Sequence, residues 1–296
     1  MSLKFLPENS RQRVKTLKVI ADPSLVQSQS RKWLQSKKSI GFVPTMGALH
    51  EGHLELVRRA RKENDHAVVS IYVNPIQFGP NEDYNNYPRT LPNDLALLEK
   101  EKVSLVFTPS NKEMYPKGFS TLVKVKGGLV QGLCATYRPD HFDGVATVVV
   151  KLLASVCPTR LYLGQKDAQQ AAILRQVVLD LDLGVETVIC PIVREFDGLA
   201  MSSRNKRLTM EGRKTAPVLY KALKVGKSLF DLGEVETLKV LSEIKKIILE
   251  EKSVKLQYLE AVNSKTLEPV SRIEKGSLLA LAVYIDGVRL IDNIVI

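Results

Sequence analysis

The nine residues Thr45-Met46-Gly47-Ala48-Leu49-His50-Glu51-Gly52-His53 constrain this chain more than any other segment. They follow the apolar run Ile40-Gly41-Phe42-Val43-Pro44 and open into a stretch whose Leu56, Val57 and Ala60 share one helical stripe, with Arg58, Arg59 and Lys62 among the polar positions. The pattern predicts a strand, a tight glycine turn and a helix N-terminus. Such a corner exposes free backbone N–H groups and the positive end of a helix dipole, and both favour phosphate. His50 and His53 stand three residues apart there, and Gly52 leaves room for a bulky ligand to come close. A zinc-binding H-E-x-x-H is excluded, because Leu54 occupies the place of its second histidine. Taken alone, two histidines at a helix start also read as polar surface residues.

The rhythm of the first two-thirds gives the fold class. Strand candidates fall at 40–43, 67–73, 103–108, 160–163 and 186–190, separated by helical patterns. One helix is marked by Val145, Val148, Val149, Leu152, Leu153 and Val156 and ends at Pro158; another follows Asp167 and carries Ile173, Val177 and Leu181. This alternation predicts an α/β fold, a Rossmann-like parallel sheet with helices on both faces. Ligands of such sheets bind beyond the carboxyl ends of the strands, the edge where His50 and His53 would lie. Past residue 192 the pattern changes to helices near 210–230 and 235–251, then strands near 255–262, 266–271 and 278–285, with Asp286-Gly287 as a hairpin turn. The expectation is a nucleotide-binding domain over 1–192 and a smaller α+β domain with an antiparallel sheet over 193–296. Gly226-Lys227-Ser228 is not a phosphate loop, since Lys221 stands where the first glycine is needed.

Composition narrows the partners. A hydrophobic share of 44% with 25% charged residues reads as a soluble protein with a real core. No apolar run approaches a membrane span, so no membrane partner is expected, and the first residues lack the apolar core of a secretory signal. Cys134, Cys157 and Cys190 are odd in number and far apart, which fits reduced thiols and a cytoplasmic location. The net charge of +11 admits an anionic partner, but the lysines are scattered and aromatic residues, at 6%, do not interleave with a basic run. No nucleic-acid partner is expected.

Further motifs stand at predicted strand ends. Asn74-Pro75-Ile76-Gln77 leaves the second strand with two amide side chains, though as an isolated segment it is an ordinary Asn-Pro turn. Tyr87-Pro88-Arg89-Thr90 and Asn93-Asp94 lead into the next helix, where Asp94 is a dipole partner or a metal ligand. Arg138-Pro139-Asp140-His141 precedes the long apolar helix. Gly164-Gln165-Lys166-Asp167 follows the fourth strand, with Asp167 as an N-cap candidate and Lys166 aimed at the same edge as His50, or else held in a structural ion pair. In Met201-Ser202-Ser203-Arg204, two hydroxyls and a guanidinium in series can wrap phosphate oxygens.

H-x-G-H is a mark of nucleotidyl transfer, and the ordered set P-T-M-G-A-L-H-x-G-H, N-P-x-Q-F, Y-P-R-T, R-P-x-H-F-x-G-V-x-T-V-V, G-x-K-D-x-Q-Q and D-G-L-A-M-S-S-R-N resembles the pantothenate synthetases, the pantoate–β-alanine ligases. The resemblance is strong from about Gly41 to Arg207 and weaker beyond. It implies adenylation of (R)-pantoate by ATP, release of pyrophosphate, and attack of β-alanine on the pantoyl adenylate to give pantothenate and AMP. It also implies the site. His50, His53, Lys166, Ser202, Ser203 and Arg204 would act on the phosphates, and Met46, Gly47, Gly52, Gly164, Asp167, Val193 and Met201 would complete the ATP pocket. Pro44, Thr45, Met46, Gln77 and Gln170 would hold pantoate, while Asn74, Tyr87, Arg138 and His141 shape the rim and the β-alanine side. Asp94 would approach a phosphate-bound Mg²⁺, and the chain would form a homodimer with an antiparallel strand available near 115–126 and the second domain as a lid.

Gln165, Ala168, Asp140 and Asn93 depart from residues common in this family, and the arm before residue 15 lies outside the resemblance. Two other readings stay in view. A different nucleotidyltransferase would share H-x-G-H, but the Gln77 and Gln170 pair favours a small polyhydroxy acid. A basic nucleic-acid-binding protein would show salt-dependent DNA binding without ATP turnover.

Overall fold

A run of β-branched and apolar segments, each followed by a helix, forms the larger layer of the molecule. The computed structural model describes residues 17–80 and 82–296, so the arm before residue 15 lies outside the described residues. The elements run β1 (Lys18–Ile20), α1 (Pro23–Gln35), β2 (Ile40–Thr45), α2 (Glu51–Glu63), β3 (His66–Ile71), α3 (Leu91–Lys100), β4 (Leu105–Phe107), α4 (Asn111–Met114), α5 (Cys134–Tyr137), α6 (His141–Val156), β5 (Arg160–Gly164), α7 (Ala168–Asp180) and β6 (Glu186–Cys190). They continue as α8 (Met210–Thr215), α9 (Val218–Asp231), α10 (Thr237–Glu250), β7 (Lys255–Asn263), β8 (Ser277–Ile285) and β9 (Val288–Val295). Among the described residues the first six strands make one parallel sheet in the order β1-β4-β3-β2-β5-β6, and the last three an antiparallel sheet in the order β7-β8-β9.

The alternation of side chains along the strands divides the core of the parallel sheet. Phe42, Val68, Leu105 and Leu161 face α6 and α7, while Val43, Val69, Val106 and Tyr162 face α2 and α3. The antiparallel sheet is also covered on both faces. Leu279, Leu281 and Val283 of β8 pack with Leu223 of α9 and Ile244 of α10, and the alternate Leu278, Ala280 and Ala282 pack with Ile173 and Val177 of α7. A shared core therefore joins the two sheets.

One strand is present that was not expected, and one expected strand is missing. β1 has three residues, too few for a readable alternation, and it exists through its pairing to β4. The strand expected at 266–271 is replaced by a single bridge, Val262 to Pro269. Leu267 adopts φ +60°, which breaks an extended run, and Pro269 has no N–H for a ladder. The stretch near 115–126 pairs with neither sheet; its Val123 and Val125 N–H groups donate to the side chains of Thr147 and Asp143.

The sheet order has a switch point at β2, whose neighbours are β3 on one side and β5 on the other. The crevice beyond the carboxyl ends of these strands is where a parallel sheet takes its ligand. The turn after β3 is pressed against α6 there: a Cβ on Gly144 would lie 2.7 Å from Gln77 Cα and closer still to the Ile76 carbonyl oxygen. Asn74 Nδ2 spans the same contact, donating to the Gly144 carbonyl at 3.1 Å. Gly144→Ala is expected to lower stability by about 2 kcal/mol or more, the cost of forcing backbone apart in a packed region. Urea unfolding with an unchanged midpoint would contradict this account of the crevice floor.

Candidate active site

The strand–turn–helix corner read from the sequence is present. β2 ends at Thr45, Gly47 and Ala48 take left-handed backbone angles (φ +83° and +49°), and α2 starts after His50. The turn is held from inside by Asp94, fully buried at the start of α3. Its carboxylate accepts from the Ala48 N–H at 3.0 Å, the Leu49 N–H at 2.9 Å and the Thr90 hydroxyl at 3.1 Å. The residue expected as a metal ligand thus has both oxygens committed to buried donors, and Asp94 shapes the turn. Thr45 is similarly engaged, donating its hydroxyl to the Ser70 carbonyl and accepting from the Gly47 N–H.

His50 and His53 lie against each other with ring centroids 4.0 Å apart and planes tilted by 36°. A Cβ on Gly52 would come within 3.0 Å of the His50 ring, so the glycine makes room for that imidazole, a closer need than room for a ligand. His53 Nδ1 accepts from the His50 backbone N–H at 3.4 Å, which leaves the hydrogen of its neutral tautomer on Nε2. His50 Nδ1 is buried without a hydrogen-bond partner among the described residues. Burial pushes the His50 pKa down to about 4, with Lys166 adding to the shift. The His53 pKa falls to about 3, again through burial first and then through His50 and Lys166. Both imidazoles are therefore neutral hydrogen-bonding groups near pH 7.

The other segments converge on the same crevice. Lys166 sits in the turn Gln165–Asp167 after β5, its Nζ 3.7 Å from Asp167. Asp167 precedes α7 but makes no side-chain capping bond. Ser202 caps the turn Ser203–Arg207, and Arg204 lies over the Tyr87 ring at 5.8 Å. A cavity of about 210 Å³ is lined by Pro44, Thr45, Met46, His50, Gly52, His53, Asn74, Gln77 and Tyr87, together with Gly164, Lys166, Asp167, Gln170, Val193, Met201, Ser202, Ser203 and Arg204. Gly47, in the turn between Met46 and His50, is buried and does not line it. Arg138 and His141 line a neighbouring cavity of about 500 Å³, toward the second sheet, which shares Lys166, Asp167, Gln170, Ser202 and Arg204 with the first. Asn74 Nδ2 donates to Gln77 Oε1 at 3.1 Å, and Gln77 Nε2 lies 3.3 Å from Met46 Sδ, so the amides are set in order before any ligand enters. His141 bridges Arg138 Nη1 at 2.8 Å and the Gln77 carbonyl at 2.7 Å. Its pKa falls to about 4, through burial and then Arg138.

Sequence reasoning missed the acids that hold the cations. Arg138 pairs with Glu82, its Nε 2.6 Å from Oε1. Asp83 accepts from Arg204 at 3.1 Å and Arg207 at 2.7 Å. Burial opposes ionisation of Asp83, but Arg204 and Arg207, helped by backbone hydrogen bonding, together lower the carboxyl pKa. Glu82 and Asp83 lie in a polar loop where acids read as solvated, so the sequence held no signal for these pairs.

The sequence profile of the pantoate–β-alanine ligases matches residues 18–295. The chain belongs to the pantoate–β-alanine ligase family. It is 55% identical over 266 residues to the pantothenate synthetase of Caldicellulosiruptor saccharolyticus, covering 90% of this chain and 94% of that relative. The crystal structure of the Thermus thermophilus family member is 44% identical with a TM-score of 0.90, covering 94% of this chain and 99% of that one. The Francisella tularensis pantoate–β-alanine ligase, crystallised in complex with beta-gamma ATP and β-alanine, is 35% identical with a TM-score of 0.77 and covers 94% of this chain and 97% of its own.

The depressed histidine pKa values make this ligase-family site sensitive to acid. An unfolded histidine protonates near 6.5 and the folded ones only near 4 or below, so stability rises with pH through this range. The contribution of His50, His53 and His141 is present above about pH 6.5 and is lost progressively as pH falls toward 4. An NMR titration of the imidazole protons is expected to show these three rings neutral at pH 5.5 in the ligand-free protein. A pKa above 6 for His50 and His53 would contradict the buried, neutral site.

Proposed function

We propose that the chain is an ATP-dependent ligase that joins pantoate to β-alanine through a pantoyl adenylate, releasing pyrophosphate and AMP. The observation that carries this reading is the convergence of His50, His53, Lys166, Ser202 and Arg204 with Gln77 and Gln170 around one cavity. A pantoate carboxylate oxygen attacks the α-phosphorus of ATP, and the bond to the β-phosphate oxygen breaks. The β-alanine amine then attacks the acyl carbon, loses a proton, and AMP leaves with the original carboxylate oxygen. Neither step needs a protein nucleophile. Both need two anionic reactants held together and phosphate charge neutralised.

The roles follow the chemistry of the side chains. His50 and His53 donate to phosphate oxygens from the start of α2, Lys166 and Arg204 offset charge in the transition state, and Ser202 and Ser203 add hydroxyl donors. Gln77 and Gln170 hold pantoate over Pro44 and Met46, with Thr45 fixing the backbone beneath. Met46, Gly47, Gly52, Gly164, Asp167, Val193 and Met201 form the walls of the nucleotide pocket. Asn74, Tyr87, Arg138 and His141 make the rim toward β-alanine. Arg204 exchanges Asp83 for phosphate, and Arg138 exchanges Glu82 for a carboxylate. Mg²⁺ enters on the ATP phosphates: among the described residues there is no cluster of three or more His, Cys, Asp or Glu side chains fit to hold a metal, and the committed oxygens of Asp94 do not fit one.

The division near residue 192, with 193–296 as a lid over the site, and a cytoplasmic location belong to the same proposal. Free thiols at all three cysteines and the ATP requirement support the latter. A homodimer is proposed on the unpaired stretch near 115–126, where Leu122 is 62% exposed. Among the described residues no helix is long and apolar enough to cross a membrane.

The direct assay is AMP formation, which is expected to require both pantoate and β-alanine; turnover without either one would refute the reading. His53→Ala and Lys166→Ala are expected to keep the thermal transition while lowering the adenylation rate by about a hundredfold or more. Rates within about threefold of the parent would remove the assigned roles. Sedimentation at micromolar concentration is expected to give about twice the 33.0 kDa chain mass, and a monomer alone would reject the dimer.

A further inference from the structure

We propose that Asp292 and Asn293, neighbours on β9, are positioning residues that set the two phosphate-facing segments, 165–167 and 194–204, in register with each other. The inference rests on the ligase reading above and extends it to the second sheet. Both side chains are buried, at 2% and 3% exposure, and a β-strand turns successive side chains to opposite faces. One dipeptide can thus reach two separate segments.

Asn293 takes hold of the lysine turn. Its Nδ2 donates to the Gln165 and Lys166 carbonyls, both at 3.0 Å, and its Oδ1 accepts from Gln165 Nε2 at 3.2 Å. Both amide hydrogens are spent on the main chain that carries Lys166. Asp292 takes hold of the other segment. Arg194 binds its carboxylate with two parallel bonds of 2.7 and 2.9 Å, also donates to the Gly198 carbonyl at 3.0 Å, and stacks 3.6 Å from the Tyr220 ring. The turn that Arg194 braces is closed by Glu195 N–H to the Leu199 carbonyl at 2.8 Å and Met201 N–H to the Val193 carbonyl at 3.0 Å. The next residues are Ser202, Ser203 and Arg204.

A network placed only for stability can be exchanged for apolar packing. This one ends on the backbone of the lysine turn at one side and on the turn leading to Ser202 at the other. Lys166 and Arg204 come from segments far apart in sequence, and both must meet one phosphoryl group. A displacement of about 1 Å between such groups lowers turnover by up to a hundredfold.

The test uses Asn293→Ala and Asn293→Leu, the second of similar volume and without hydrogen-bonding capacity, so that one folded variant carries the test if the other fails to fold. Pantoate-dependent exchange of labelled pyrophosphate into ATP is measured beside amide hydrogen exchange and thermal unfolding. The expected result is a fall in kcat of about tenfold or more, with the KM for pantoate within about threefold, and loss of amide protection at both 165–168 and 194–203. A kcat within twofold of the parent in a folded variant, or protection lost at 165–168 alone, overturns the proposal. A parent without pantoate-dependent exchange refutes the ligase reading instead, and the amide protection still decides whether the two segments are coupled.

Discussion

The buried carboxylate of Asp94 decides where α2 begins. With both oxygens on the Ala48 and Leu49 N–H groups, it holds a turn in which two consecutive residues have positive φ. Without a partner these buried donors would each cost about 1–3 kcal/mol. The turn directs the chain from the sheet into α2 so that His50 and His53 meet at the helix start and line the crevice. The rest of the site is arranged around this corner, because β3 and β5, the neighbours of β2, deliver Asn74 and Gln77 on one side and Lys166 on the other.

The arginines around the cavities are paired with the protein's own acids. Arg204 lies with Asp83 and Arg138 with Glu82, both pairs partly buried. The histidines remain neutral first because they are buried, and then because positive charge on either ring would be repelled by Lys166 and, at 4.0 Å, by the other ring. On the proposed mechanism the phosphates and carboxylates of the substrates take the place of Asp83 and Glu82. Binding then exchanges one set of ion pairs for another, and the loop carrying those acids is freed as the site fills.

The legible part of this molecule was the part written in local pattern. Phe42-Val43, Val68-Val69 and Leu161-Tyr162 gave β2, β3 and β5, and the valines of α6 gave a helix whose core-facing stripe continues across about three turns. The glycine and histidine spacing marked the corner between β2 and α2 because a strand–turn–helix corner needs particular residues at fixed intervals. What stayed hidden depends on contacts between distant segments. Asp94 reads equally well as a dipole partner or a metal ligand until Ala48 and Leu49 are seen against it. Asp83, Arg194 and Asn293 have partners about 100 residues or more away, so no window of sequence contains them. The missing strand at 266–271 shows the converse: an apolar rhythm is overruled by one left-handed residue and one proline.

The central claim is that a carboxylate is activated as an adenylate at the edge built by α2 and the lysine turn. Its most direct measurement is oxygen transfer. Pantoate labelled with ¹⁸O in its carboxylate is turned over with ATP and β-alanine, and the released nucleotide is analysed by mass. The account predicts one labelled oxygen in each AMP and none in pyrophosphate, because the carboxylate oxygen that attacks the α-phosphorus departs with it. AMP without label, or label in the pyrophosphate, would contradict it.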